Sequence, residues 1–394
     1  MGVTVIGGGA AGAVAALAAR AGGAAVDLRS RGWGATALSS GAIDLAGDPA
    51  EVAGDPWAGR PCAARNFAEM LRRNPRHPLR HVREAVASAL GRFCDHVPLY
   101  RPRPLDAPDL ILPTDLGTWK STFLAQGSQV AAHLPALAGK RVVVFGFRGW
   151  AGFAPKFLAA SLWNLARRGG IDCDLAVGEV GWLEDDPFLA LREPHELART
   201  LDEPGAAERL GENLAAVDAD LLLRPPVLGL STVDVADRIA GAAGVPVAEP
   251  LASDRSVPGI RLQMALDRAL FAAGVKRSNA TQRPPGPAVL ATGRFIGGGI
   301  VRGERELREA LFDLPVVVPG APGSQLSGPD VGGPHPYLSA GVPTDERLRP
   351  DGGPPGLFAA GAVLGGYDAI RERCGLGAAI VTGHVAGTLA AEIA

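Results

Sequence analysis

Residues 3 to 12 read Val-Thr-Val-Ile-Gly-Gly-Gly-Ala-Ala-Gly, an apolar strand running straight into Gly-x-Gly-x-x-Gly, with an Ala-rich helical stretch, Ala13 to Arg20, behind it. This order of elements leaves few folds open. Gly7 permits the tight turn out of the strand, Gly9 lets backbone come close to a phosphate, and Gly12 lets the helix pack on the strand. Free N–H groups at the helix start then face the anion. Without its strand and helix the glycine pattern is a weak signal. Both flank it here, so the expectation is a nucleotide-binding βαβ unit. A second strand over Ala25 to Arg29, after the Gly22-Gly23 turn, begins a parallel sheet.

The rest of the chain organises around this start. With 394 residues, 47% of them apolar, a large core in more than one domain is expected. Arg31 to Asp44 is small and polar without helical period, suiting a loop wrapped around a flat ligand. Pro49, Pro56 and Pro61 then break the chain. The middle has its own α/β rhythm, with strands at Arg141 to Gly146, Ile171 to Val180 and Asp220 to Leu223, and a helix over Phe153 to Arg168. Gly146, Gly149 and Gly152 lack dinucleotide spacing; they read as a tight strand–helix connection, with a second phosphate turn as the other reading. From Ser256 the chain returns to the first domain. A helix over Arg261 to Ala273 precedes short strands at Ala288 to Gly293 and Gly356 to Gly361, and Gly375 to Ile393 is a long helix. The expected class is α/β. A Rossmann-like FAD/NAD(P)-binding domain is assembled from both chain ends, residues 1–60 and 256–394, and an α/β cap, residues 61–255, is inserted in it.

Composition excludes several functions. The formal net charge is −2 with the charges scattered, which gives no footprint for nucleic acid. Cys62, Cys94, Cys173 and Cys374 lie far apart without C-x-x-C spacing, so neither a metal nor an iron–sulfur cluster nor a disulfide framework is expected. No stretch approaches about 20 uninterrupted apolar residues, and the first residues read as a strand, not as a charged region followed by an apolar run. A cytoplasmic protein follows from this, with peripheral membrane attachment through a partner left open.

Three segments are expected to converge on a cofactor. Gly7, Gly9 and Gly12 take phosphate, the loop from Thr36 through Ser39, Ser40 and Gly41 lines a ring, and Thr292, Gly293, Gly361 and Ala362 close the other side. The N–H groups at Gly375, Leu376 and Gly377, opening the last helix, would face the pyrimidine edge of a flavin. Two usual carboxylates are missing. Ser30 occupies the position after the second strand where Asp or Glu accepts ribose hydroxyls, and Ala362 follows Gly361 where an acidic residue is common. Arg29 and Arg31 flank Ser30, a pattern suited to the terminal phosphate of FMN or the 2′-phosphate of NADP.

Several segments carry a family likeness. The glycine turn, Ser39-Ser40-Gly41-Ala42-Ile43-Asp44-Leu45, Leu116-Gly117-Thr118-Trp119-Lys120-Ser121-Thr122, Pro258-Gly259-Ile260-Arg261-Leu262-Gln263, Ala291-Thr292-Gly293-Arg294-Phe295 and Gly361-Ala362-Val363-Leu364-Gly365-Gly366-Tyr367-Asp368 stand in this order over nearly the whole chain. Together they resemble the B subunit of anaerobic glycerol-3-phosphate dehydrogenase. The resemblance implies quinone-linked oxidation of sn-glycerol 3-phosphate to dihydroxyacetone phosphate. It also implies FMN on this chain, with FAD the alternative, an FAD-bearing A subunit as partner, and an iron–sulfur C subunit that anchors the complex at the inner membrane. Oxidising a secondary alcohol needs a base, donors for the developing carbonyl and cations for the phosphate. His335, Arg294 and Arg371 are the candidates for these roles, ahead of His384 and Arg373. Cys374 reads as packing more readily than as a redox thiol. Two other readings stay open at this point: a self-sufficient NADP- or FAD-dependent dehydrogenase, and a partner protein that has lost its cofactor.

Overall fold

The structure, a computed structural model, describes residues 2–47, 62–183, 185–253, 255–303, 306–319, 326–330, 333 and 335–394. The expected break at Pro49, Pro56 and Pro61 lies outside them. The chain opens with β1 (Gly2–Ile6), α1 (Ala10–Ala21) and β2 (Ala25–Arg29), as the glycine turn dictates. β1 buries Val3 and Val5. It sits at the centre of a five-stranded parallel sheet whose order is Leu357–Ala359, Ala288–Leu290, β1, β2 and Lys276–Ser278. Ile6 stands opposite Leu290 on one side and Arg29 on the other. From β1 the chain first adds strands on one side and later on the other, so a topological switch point lies between β1 and Ala288–Leu290, beside the glycine turn.

Small residues set the helix packing. The last helix, Gly375–Glu392, lies along α1, and a Cβ at Gly383 or Gly387 would strike the carbonyl of Ala11 or Ala15. The two helices therefore meet backbone against backbone, which larger side chains would prevent.

A second parallel sheet of four strands has the order Asp174–Val180, Arg141–Phe147, Leu221–Leu223, Val247–Ala248. The helix Pro155–Arg168 connects its first two strands. Gly146 faces the ring of Pro155 and Gly152 faces the indole of Trp150, so both glycines make room for neighbours. With proline also removing an N–H at that helix start, the turn is a tight connection and builds no phosphate cradle.

Packing does not change at residue 60. The helices Ala63–Arg73 and Val86–His96 turn Met70, Leu71, Leu90 and Phe93 into the same core as Val5 and Leu290, and Tyr100 and Leu124 follow them. Val86–His96 packs on the last helix and both helices join the first core, while the second core draws on residues from Ile111 onward. Between the two cores lies the helix Val257–Ala272, whose start is capped by Ser256 Oγ accepting from Gly259 N–H at 3.1 Å. It gives Val257 to the second core and Leu262, Leu266 and Leu270 to the first. Arg261, on the same helix, forms a buried ion pair with Glu249 at 2.6 Å and also reaches the carbonyls of Leu228 and Gly229. Among the described residues no helix is long and apolar enough to cross a membrane.

Candidate functional site

At the switch point of the first sheet the glycines are sterically required. Gly7 has φ +122°, and a Cβ there would strike the Ala291 carbonyl; one at Gly12 would strike the carbonyl of Gly7. A Cβ at Gly9 would meet only Thr36 Oγ1, at 3.3 Å, so this position faces open space and a hydroxyl. Thr36 Oγ1 accepts from Ala10 N–H at 2.8 Å. The N–H groups of Ala11 and Gly12 take no protein acceptor among the described residues. This is the unsatisfied, positive start of a helix that an anion completes.

Thr36 was expected at the ring end of its loop, yet it lies at the phosphate end. The chain turns back over the glycine turn after β2, bringing two residues 26 apart in sequence into hydrogen-bonding contact. Ser30 does lie beside the turn, with Oγ 2.6 Å from where a Cβ of Gly8 would stand, but it bonds its own loop at Gly32. Asp27 pairs with Arg29 at 2.9 Å and accepts from Ser278 Oγ at 2.9 Å, and Arg29 also donates to the Gln282 carbonyl. Of the two arginines expected to take phosphate, Arg29 is therefore spent on the sheet edge. Arg31 is exposed, with no partner among the described residues.

The ring-lining segment is fixed through its backbone. Tyr100 donates to the Gly41 carbonyl at 2.5 Å, and Gln129 donates to that of Ser40 at 3.0 Å. Gly41 has φ +77°, and a Cβ would press on Gln126 and Pro258. Ser39 Oγ donates to the Thr36 carbonyl, so its hydroxyl is turned into its own loop. Two of the segments that carry the family likeness meet here. Ile43 bridges to Leu124, Thr122 donates to the Ile43 carbonyl, and Lys120 Nζ lies 2.6 Å from Asp44 Oδ2. The Lys120–Asp44 pair was not singled out from sequence, because nothing local links residues 76 apart. Its place is telling, since the Asp44 carbonyl accepts from Gly377 N–H at 3.2 Å at the start of the last helix. Gly375 and Leu376 N–H groups there take no protein acceptor among the described residues.

The remaining segments close the other side. Gly361, with φ +74°, abuts Ala11 and donates its N–H to Thr382 Oγ1 at 2.9 Å. Thr292 and Gly293 follow the strand beside Gly7, and Thr292 Oγ1 is buried without a hydrogen-bond partner. Arg294 is not placed to bind a substrate anion. Its guanidinium donates to the carbonyls of Ala362, Leu364 and Tyr367 at 3.1 to 3.4 Å and lies 5.5 Å from the Tyr367 ring centroid. Carbonyls that converge on one point need a fixed fork of donors, and arginine supplies it. Arg371 is exposed, while its N–H is held by Asp368 Oδ1. His335 is linked to the Thr292–Phe295 turn through ring contacts, tilted from His335 to Tyr337 and edge-on from Tyr337 to Phe295, each with centroids 5.8 Å apart. Its Nδ1 accepts from Gly328 N–H at 3.1 Å. A neutral ring then carries its proton on Nε2 and donates there, contrary to a base acting from that nitrogen. His384, half-buried in the last helix, has its pKa lowered by burial.

Behind the helix start lies a buried knot. His77 Nε2 is 3.6 Å from Cys374 Sγ and 3.3 Å from Glu372 Oε2. His77 Nδ1 accepts from Leu79 N–H, which fixes the proton on Nε2 and directs it at these two groups. A metal would need that nitrogen bare, so His77 and Cys374 form a hydrogen-bonded pair with the Glu372 carboxylate beside them. Burial holds the imidazole neutral, with a pKa of about 3, and pushes the Cys374 thiol well up, which makes it a packing residue and not a reactive one.

The donor set fits a flavin phosphate and ring. The free N–H groups sit at two helix starts, the glycines leave room for backbone approach, and Thr292 Oγ1 and Asp44 Oδ1 are buried polar atoms without protein partners beside them. The comparisons agree with this geometry. Residues 2–216 and 259–378 match the family model of the FAD binding domain. The probable B subunit of anaerobic glycerol-3-phosphate dehydrogenase from Halobacterium salinarum is 32% identical, over 99% of this chain and 97% of the relative. The B subunit of Yersinia pestis bv. Antiqua is 29% identical over 100% and 98%, and that of Pectobacterium carotovorum 28% over 99% and 98%. With its glycine turn, its two helix starts and this full-length similarity, the chain belongs to the FAD-binding-domain flavoproteins and, within them, to the family of the anaerobic glycerol-3-phosphate dehydrogenase B subunit.

Proposed function

We propose that the chain is the flavin-bearing B subunit of an anaerobic glycerol-3-phosphate dehydrogenase. It takes part in quinone-linked oxidation of sn-glycerol 3-phosphate to dihydroxyacetone phosphate. The observation that carries this reading is the similarity over nearly the full length of both chains to relatives of that name. The cofactor is FMN: Ser30 offers no charge to a ribose, its hydroxyl is engaged by Gly32, and the exposed Arg31 next to it suits a terminal phosphate.

A bound flavin supplies the acceptor for the hydride that leaves the carbinol carbon. The chain's own residues do the rest. Ala11 and Gly12 N–H groups and the Thr36 hydroxyl hold phosphate, and the start of the last helix gives its positive end to the ring. Lys120, fixed by Asp44, places a cation beside that helix start. As the hydride leaves, the hydroxyl proton passes to bulk water; His335 hydrogen-bonds the substrate oxygen, and Arg371 meets the substrate phosphate. Arg294 holds the Ala362–Tyr367 loop in place. The partners are an FAD-bearing A subunit and an iron–sulfur C subunit, which brings the complex to the inner membrane.

Mass analysis of the flavin released from purified protein tests the cofactor assignment, with one FMN per chain expected and FAD or no flavin counting against it. Co-expression with the neighbouring genes' products tests the complex: glycerol 3-phosphate should bleach the flavin band there, and a band that stays oxidised sinks the assignment.

A further inference from the structure

The second sheet repeats a feature of the first. From Arg141–Phe147 the chain adds Asp174–Val180 on one side, then crosses to add Leu221–Leu223 and Val247–Ala248 on the other. A second switch point therefore lies between Arg141–Phe147 and Leu221–Leu223, and the carboxyl ends of parallel strands at such points are where ligands bind in open α/β sheets. Arg224 stands there, the first residue after its strand, its N–H donating to the Ala248 carbonyl.

Its side chain is fully buried, yet Nε, Nη1 and Nη2 all lack a hydrogen-bond partner. The guanidinium carbon lies 4.7 Å from the ring centroid of Phe147 and 5.6 Å from that of Phe145, and Phe147 in turn packs on Trp150 and Trp182. Aromatic faces soften the cost of a buried cation but satisfy none of its donors. Arg261, the other fully buried arginine, shows the contrast, because Glu249, Gln126 and two carbonyls occupy its donors. Buried charges are retained when they are paired. Arg224 has no such partner.

We propose that the second switch point is an oxyanion site in which Arg224 binds a phosphate group, free or as part of a small phosphate ester, between the ends of Arg141–Phe147 and Leu221–Leu223. A planar fork of five donors with none engaged matches a tetrahedral oxyanion. The site is separate from the flavin cradle and does not rest on the assignment made there.

The test is thermal unfolding and calorimetric titration of the full chain with inorganic phosphate against chloride at matched ionic strength. Sn-glycerol 3-phosphate and glycerol form further arms. Phosphate at about a hundredfold excess over its Kd should raise the melting temperature by about 2–5 °C. Arg224→Met should lose that response and melt no lower than wild type in phosphate-free buffer, since it removes an unpaired charge. Arg72→Ala, exposed on the helix Ala63–Arg73, should keep the response. Arg224→Lys, which preserves the charge, should bind phosphate at least fivefold more weakly. A phosphate response equal in wild type and Arg224→Met, or none in wild type, overturns the site, as does unchanged affinity in Arg224→Lys. Tighter binding of the glycerol ester than of phosphate, with glycerol inert, makes the ester the occupant; parity makes it the free anion.

Discussion

Thr36 shows how one hydroxyl can serve both a helix and a ligand. Accepting from Ala10 N–H at 2.8 Å, it leaves its own proton free to donate toward the open face of Gly9. Thr36→Val should therefore cost about 1 kcal/mol of stability, read by denaturant unfolding, and lower the flavin retained on purification. Thr36→Ser should restore both. His77 gives a pH signature. Its neutral form is favoured by burial, with a folded pKa of about 3 against about 6.5 unfolded, so the unfolded chain binds more protons between those values. The contribution is complete above about pH 6.5 and falls as pH drops toward 3, by up to about 1.4 kcal/mol per pH unit. Glu372, whose carboxyl is pushed up by burial, works in the opposite sense, its contribution fading as pH rises through its folded pKa. His77→Gln should flatten the acid limb of the stability profile from pH 6.5 to 4, and an unaltered limb would refute the assignment. At this scale sequence spacing located Ser30 beside the turn correctly, because a strand and a helix have fixed rises. It was blind to Thr36 and to Lys120–Asp44, which depend on a loop returning across the fold.

Among the elements, the helices α1 and Gly375–Glu392 owe their contact to glycine and alanine. Gly383→Val would drive a branched side chain into the Ala11 carbonyl, so we expect insoluble or flavin-free protein, measured by expression and absorbance. Gly241, exposed in the helix Val235–Ala243 with open space around it, is the counterpart. Gly241→Ala should stabilise by about 0.5–1 kcal/mol in the same unfolding assay. The helix Val257–Ala272 joins the two cores through a buried ion pair. Arg261→Met should cost about 3–5 kcal/mol because Glu249 is left buried and charged. Elements framed by glycine or proline, such as Ala288–Leu290 and the last helix, were legible from their apolar pattern. Lys276–Ser278 was not. It is a polar edge strand that exists through pairing with β2, and Val247–Ala248 is too short to show a period.

For the molecule as a whole, the return of the chain to its first sheet after Ser256 was readable from the order of short apolar strands, and the sheet contains strands from both ends of the sequence. The line between cores was not, because the helices Ala63–Arg73 and Val86–His96 are ordinary amphipathic helices whose destination is decided by what covers them. That return also sets a timetable. β1 leaves the ribosome well before its partner Ala288–Leu290, which lies some 280 residues later, a delay of roughly 15–60 s at usual elongation rates. For that interval the glycine turn has one sheet neighbour at most and no last helix beside it. Cofactor loading is thus an event of the released chain, and ribosome-stalled chains ending at residue 350 should carry no flavin.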